Sequence, residues 1–397
     1  MAGRALRFPE VDALRAIAAL AVFGTHAAIF AGADAPGSEV GRYAQRLEVG
    51  LTIFFVISGF LLYRPFVAAR VAGTPGPRAA PYAWRRFLRI VPAYWVALTV
   101  SAVVLSKSEV FGPQAPAYYL LGQTYSGETL SGGLTQAWTL SVEVAFYAFL
   151  PVWAWLLRRV PGGRLRAEVA GLAVLFAVSA AWKAAVLAGT DPRQVVVTPM
   201  LIALPAYLDQ FALGMGLAVL TVWLERGGRP TAAVRLVDRR PLVPWLVALA
   251  AFWLVSTQIG IGRRLFEPFT PAQYLARHWL YALIGVAVVL PAVVGTPGRG
   301  AVRRLLAHPV LAWLGLVSYG IYLWHLTALS LLERWGLRDV PVHPYLAWPA
   351  AGLAFAVVLA AASWYALERP ALRLKRVAPR GRARPARLPV PAEDGRG

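Results

Sequence analysis

Ten stretches, near residues 11–30, 47–69, 87–105, 137–157, 169–187, 199–223, 242–257, 277–295, 309–331 and 345–367, each hold a mostly apolar run of about bilayer length. The hydrocarbon core takes about 20 such residues as helix, and backbone polar groups inside it must be satisfied within the segment. The pattern therefore dictates an all-α, polytopic membrane bundle of about ten transmembrane helices. Composition agrees, since 58% of the 397 residues are hydrophobic and only 15% charged, a balance far from that of a soluble domain. Three stretches are less regular: Lys183 interrupts 169–187, 242–257 is short, and 277–295 opens on Arg277 and His278.

Basic residues set the orientation. Lys and Arg concentrate in alternate connections and in the C-terminal tail, which places both termini in the cytoplasm. The first stretch carries Asp12 and Arg15 and lacks a small-residue cleavage site, so it reads as a retained helix in a multi-pass protein of the cell membrane rather than a signal peptide. The formal charge of +21 is spread over five connections and the tail. That distribution suits topology and contact with the anionic lipid bilayer, and excludes the single basic patch of a nucleic-acid binder. With no cysteine, disulfides, thiolate metal sites and an enzyme thioester are excluded, and no metal is expected. Residues 1–370 form one membrane domain; residues 371–397 are a basic, Pro-rich cytoplasmic tail expected to be disordered. No appended soluble domain and no internal repeat of fixed period are expected. Connection 106–136, on the outer side, is Gly- and Ser-rich and holds an apolar island, APAYYLLG, expected at the membrane interface.

Ionisable residues inside spans are costly and turn toward a bundle interior, a cavity or each other. Arg15 and His26 are eleven positions apart, about 20° beyond three helical turns, so they share one face about 16 Å apart. Asp12, three positions before Arg15, is the expected partner of its guanidinium. Measured from the outer helix ends, His26, Glu143 and His325 fall at a common depth, which suggests an outward-leaning pocket where a carboxylate or second imidazole orients His26. At the inner end, Arg86 and Arg89 stand three apart with Arg85 before them, a guanidinium pair suited to phosphate. Anchoring by the positive-inside rule explains the same arginines, and interfacial or capping roles explain His325 and Glu143. Asp209 and Lys183 read as structural partners of other buried charges or as functional groups. Ser58 and Gly59 read as a close helix contact. His278, His308 and His343, at helix ends or in a loop, are given no role.

The chain resembles the acyltransferase 3 family of bacterial membrane acyltransferases. VDALRAIAALAVFGTH is similar to its opening motif, with Arg15 and His26 at an Arg, ten residues, His spacing. GLTIFFVISGFLLYRPF, RRFLRIVPAYW, WTLSVEVAFY, YLDQFALGMGLA, SYGIYLWH and ALERP follow in the family's order. One departure is Ala13, where a glycine is common. The resemblance implies transfer of an acyl group, often acetyl, from a cytosolic acyl-CoA co-substrate to a hydroxyl of a carbohydrate or of a macrolide-like natural product. It implies His26 as catalytic base, Arg15 as its motif partner toward the donor, Arg86 and Arg89, with Arg85 beside them, as contacts for coenzyme A phosphates, and Glu143 and His325 as site members. The competing reading is a secondary transporter whose intramembrane His, Glu and Asp form a proton or substrate path; it leaves the inner arginine pair unexplained.

Overall fold

The computed structural model describes residues 9–35, 38–160, 164–191, 193–195, 197–260 and 269–377. Ten long helices organise them: α1 (Pro9–Phe30), α2 (Gly50–Ala72), α3 (Ala79–Val104), α4 (Trp138–Arg159), α5 (Arg164–Ala188), α6 (Leu204–Glu225), α7 (Leu242–Thr257), α8 (Pro271–Val293), α9 (Pro309–Arg334) and α10 (Pro344–Ser363). Nine are long and apolar enough to cross a membrane, and the tenth expected span is α7. At 16 residues α7 reaches only about 24 Å, and the preceding helix Ala232–Arg239 meets it at 96°. The irregular stretches at Lys183 and at Arg277 are full helices, α5 and α8. Of the expected tail, residues 378–397 lie outside the described residues.

Local chemistry sets where helices begin. Pro271, Pro309 and Pro344 open α8, α9 and α10, where their missing N–H is no loss. Thr270 and Gln273 form a reciprocal capping box at α8. His308 and His343 find their roles here, each accepting through Nδ1 from a backbone N–H, of Val310 and Tyr345 respectively, at 3.3 Å. Beyond α10 the chain continues through a π-turn, Trp364–Glu368, into a short helix, Arg369–Arg373.

Packing pairs α2 with α6, α1 with α9, α9 with α10, α5 with α6, and α7 with α8, while α1 also leans on α2. The α2–α6 seam depends on two glycines. A Cβ on Gly59 would strike the Phe211 carbonyl, and one on Gly214 would strike the Val56 carbonyl, so the two backbones touch. The expected close contact is therefore made with α6 at Gly59, while Ser58 gives its hydroxyl to Glu143 of α4.

The island in connection 106–136 packs on α3 through Tyr118 and leaves Leu120 exposed. Its helix Ala115–Tyr119 buries Tyr118, whose carbonyl accepts from the Tyr94 hydroxyl of α3 at 2.7 Å. Lys107 donates to the Gly133 carbonyl. Burial pushes its ammonium below the ordinary lysine value, against the pull of Glu109.

Candidate active site

The packing of α1 on α9 brings two imidazoles together. His325 Nε2 lies 3.2 Å from His26 Nδ1, with ring centroids 4.9 Å apart. Two carbonyls assign the protons, because a carbonyl only accepts. His26 Nδ1 is 2.9 Å from the Val22 carbonyl and His325 Nδ1 is 2.8 Å from that of Tyr322, so both Nδ1 atoms carry hydrogen. The lone pair of His325 Nε2 then receives a second share of the His26 Nδ1 hydrogen. His26 Nε2 is left with a free lone pair.

That imidazole lines a cavity of about 500 Å³. Its walls come from α1, α2, α4, α6, α8 and α9 and from the segments holding Ser131, Val195 and Phe269. The lining is largely aromatic and apolar, as small-molecule sites are, with Phe55, Trp138, Tyr207 and Tyr322 among it. The segments close together where the Val195 N–H donates to the Phe269 carbonyl at 2.8 Å.

Glu143 is not part of this wall. Its Oε1 accepts from Ser58 Oγ at 2.9 Å and its Oε2 from the Tyr147 hydroxyl at 3.0 Å. It stands where the charges of Arg15 and Arg89 reach it. Equal depth brought His325 to His26, but Glu143 faces another direction from its own helix.

The arginine end is built differently. Arg86 lies 5.9 Å from the centroid of the Tyr147 ring, which links it to the Glu143 group. Nε of Arg15 and Nε of Arg86 are buried without a hydrogen-bond partner. Among the described residues, Arg15, Arg86 and Arg89 make no ion pair; Asp12, the expected partner of Arg15, is exposed. Arg85 is exposed too, turned off the face that Arg86 and Arg89 share. Close by, Glu368 of the π-turn is 2% exposed, and its Oε2 has no partner.

Two polar clusters stand beside the cavity that the sequence reading did not assemble, although it named Lys183 and Asp209 as buried charges. Glu48 accepts from Arg277 and from the Tyr281 hydroxyl, both at 3.1 Å. Asp209 meets Lys183 at 2.5 Å and His278 at 2.8 Å, with Lys183 and Asp209 both fully buried. Tyr274, Arg277, His278 and Tyr281 all line the cavity from α8. Their i, i+3, i+4, i+7 spacing was the available signal, since it marks one helix face. Among the described residues, no group of three or more His, Cys, Asp or Glu is arranged to hold a metal ion.

Residues 8–367 match the model of the acyltransferase domain family. The chain is 26% identical to acyltransferase MdmB of Streptomyces mycarofaciens, over 99% of this chain and 98% of that one. It is 29% identical to the exopolysaccharide production protein ExoZ of Rhizobium meliloti, over 87% and 94%. It is also 25% identical to the peptidoglycan O-acetyltransferase OatA of Listeria monocytogenes, over 81% of this chain and 49% of that longer one. No solved structure matches. A multi-helix membrane fold and a family match across nearly its whole length show that the chain is a membrane acyltransferase of the acyltransferase 3 family.

Proposed function

We propose that the protein moves an acyl group from a cytosolic acyl-CoA to a hydroxyl of a carbohydrate or natural-product acceptor held in the His26 cavity. The observation that carries this reading is the free lone pair of His26 Nε2, on an imidazole that lines the cavity and whose Nδ1 is committed to Val22 and His325. In the proposed step, Nε2 takes the proton of the acceptor hydroxyl as its oxygen attacks the thioester carbonyl. The tetrahedral intermediate collapses, the carbon–sulfur bond breaks, and the thiolate leaves with the proton that His26 returns. The Val22 carbonyl and the His325 lone pair orient the imidazole and stabilise the transient imidazolium, as a buried acceptor does in other histidine bases.

The donor is supported by the opposite end. Three unpaired guanidiniums on α1 and α3 offer the forked donors that phosphates use. The concentration of basic residues at this end argues for the cytoplasmic side, with both termini there. Arg15 and His26 share one face of α1, so the pantetheine arm is routed along that face from phosphates to base. ExoZ and OatA, named for exopolysaccharide and peptidoglycan, favour a sugar acceptor, while MdmB matches in length without an envelope polymer in its name.

The test is acyl transfer from radiolabelled acetyl-CoA in detergent, with no ion gradient, to an acceptor recovered from cells. The acceptor is obtained by mild alkaline hydrolysis of the acylated product that separates an expressing strain from a deletion strain. Transfer that requires His26 supports the reading; absence of any thioester-dependent transfer would overturn it.

A further inference from the structure

The Lys183, Asp209 and His278 cluster joins α5, α6 and α8 beside the cavity, and proton counting fixes its state. The Lys183 ammonium has three hydrogens, and three oxygens take them: Ser179 Oγ at 3.0 Å, the Ala206 carbonyl at 3.1 Å and Asp209 Oδ2 at 2.5 Å. None remains for His278 Nε2, although that atom lies 3.0 Å from Lys183 Nζ. His278 Nε2 must therefore carry the hydrogen and donate it to Asp209 Oδ2 at 2.8 Å. Ammonium and carboxylate cancel, so the imidazole is neutral and its lone pair sits on Nδ1. No described residue hydrogen-bonds Nδ1, and His278 is part of the cavity wall.

We propose that His278 is a specificity-determining residue that presents a fixed hydrogen-bond acceptor, Nδ1, to a second hydroxyl of the acyl acceptor bound against His26. The inference rests on the proposed transfer reaction and adds the class of molecule taken: an uncharged acceptor with at least two hydroxyls. Charge supports that class. Arg277 is already matched by Glu48, and Lys183 by Asp209, so among the described residues the cavity offers no free cation for an anionic group. A buried ion pair costs more to desolvate than an apolar packing would. Its place here is explained if it locks a ring whose other nitrogen must stay an acceptor.

The ring can be dissected by isosteres. In His278→Gln the amide can still donate to Asp209, so the ion pair keeps its third partner, while the Nδ1 acceptor is lost. In His278→Asn the side-chain oxygen falls near the position of Nδ1. With the acceptor recovered by alkaline hydrolysis, we expect His278→Gln to raise its KM roughly tenfold, the scale of one lost hydrogen bond to a buried partner. The partition of acetyl-CoA between transfer and hydrolysis by water should shift toward water by the same factor. His278→Asn should recover most of the difference. An unmoved acceptor KM in His278→Gln would reduce the cluster to a helix staple. A collapse of kcat with the partition unmoved would make His278 a base and equally overturn the proposal. A variant-free arm uses ¹⁵N-histidine labelling of the full chain, which has five histidines. It should show His278 with hydrogen on Nε2 and an Nδ1 resonance that moves on adding the acceptor, and hydrogen on Nδ1 would refute the assignment. Failure of the parent reading looks different: no acylated product separates the two strains, and this proposal falls with it.

Discussion

The two ends of α1 solve opposite problems. At the His26 end the ionisable groups of the cavity wall have partners that settle their protons: Val22 and His325 for His26, Asp209 for His278, Glu48 for Arg277. At the Arg15 end Nε of Arg15, Nε of Arg86 and Oε2 of Glu368 are left without hydrogen-bond partners. Buried groups without partners are costly. The difference teaches that one end is already organised around a fixed lone pair, and that the other, under the proposed reading, is completed by the phosphates of the donor.

The largest effect that would break this contrast is at the base. His26→Ala should lower acyl transfer by about 100- to 10,000-fold while the thermal midpoint in detergent stays close to wild type; near-normal turnover would remove the chemistry from this end. Next is the donor end. Replacing Arg86 and Arg89 together by Gln should raise the KM for acetyl-CoA by about 10- to 100-fold, the scale of charge-assisted hydrogen bonds. In wild type, 3′-dephospho-coenzyme A should compete with acetyl-CoA less well than coenzyme A does if one arginine reads that phosphate, and the difference should shrink in the double variant. His325→Ala should lower kcat by roughly tenfold through the loss of one hydrogen-bond partner, with the acetyl-CoA KM unmoved, because the ring acts through His26. Smallest of all, Arg85→Gln should change neither constant by more than about twofold, as expected of an exposed substitution. An effect as large as that at Arg86 would extend the donor site around α3.

Hydropathy made the bundle legible, because a lipid-exposed helix announces itself by length and composition alone. It was least informative at α7, whose 16 residues fall short of a full crossing and whose entry is bent by 96°. For the site, periodicity along α1 carried Arg15 and His26, and depth brought in His325. Depth does not specify which way a side chain faces, and Glu143 turned to Ser58 for that reason. Lys183 and Asp209 were recognisable as buried charges in want of partners; that they choose each other and His278 depends on how α5, α6 and α8 meet. Glu48 lies in the short helical segment before α2, where no periodic signal reaches, and Arg277 and His278 look from sequence like helix-end anchors.

The glycine contact between α2 and α6 bears on how such a protein can work. Two main chains pressed together at Gly59 and Gly214 behave as a rivet: neither can glide along the other without driving side chains into carbonyls. A rocking carrier needs some pair of central helices to slip as it turns from one side of the membrane to the other. A molecule pinned at its middle is better suited to stand still while a long, flexible cofactor threads through it.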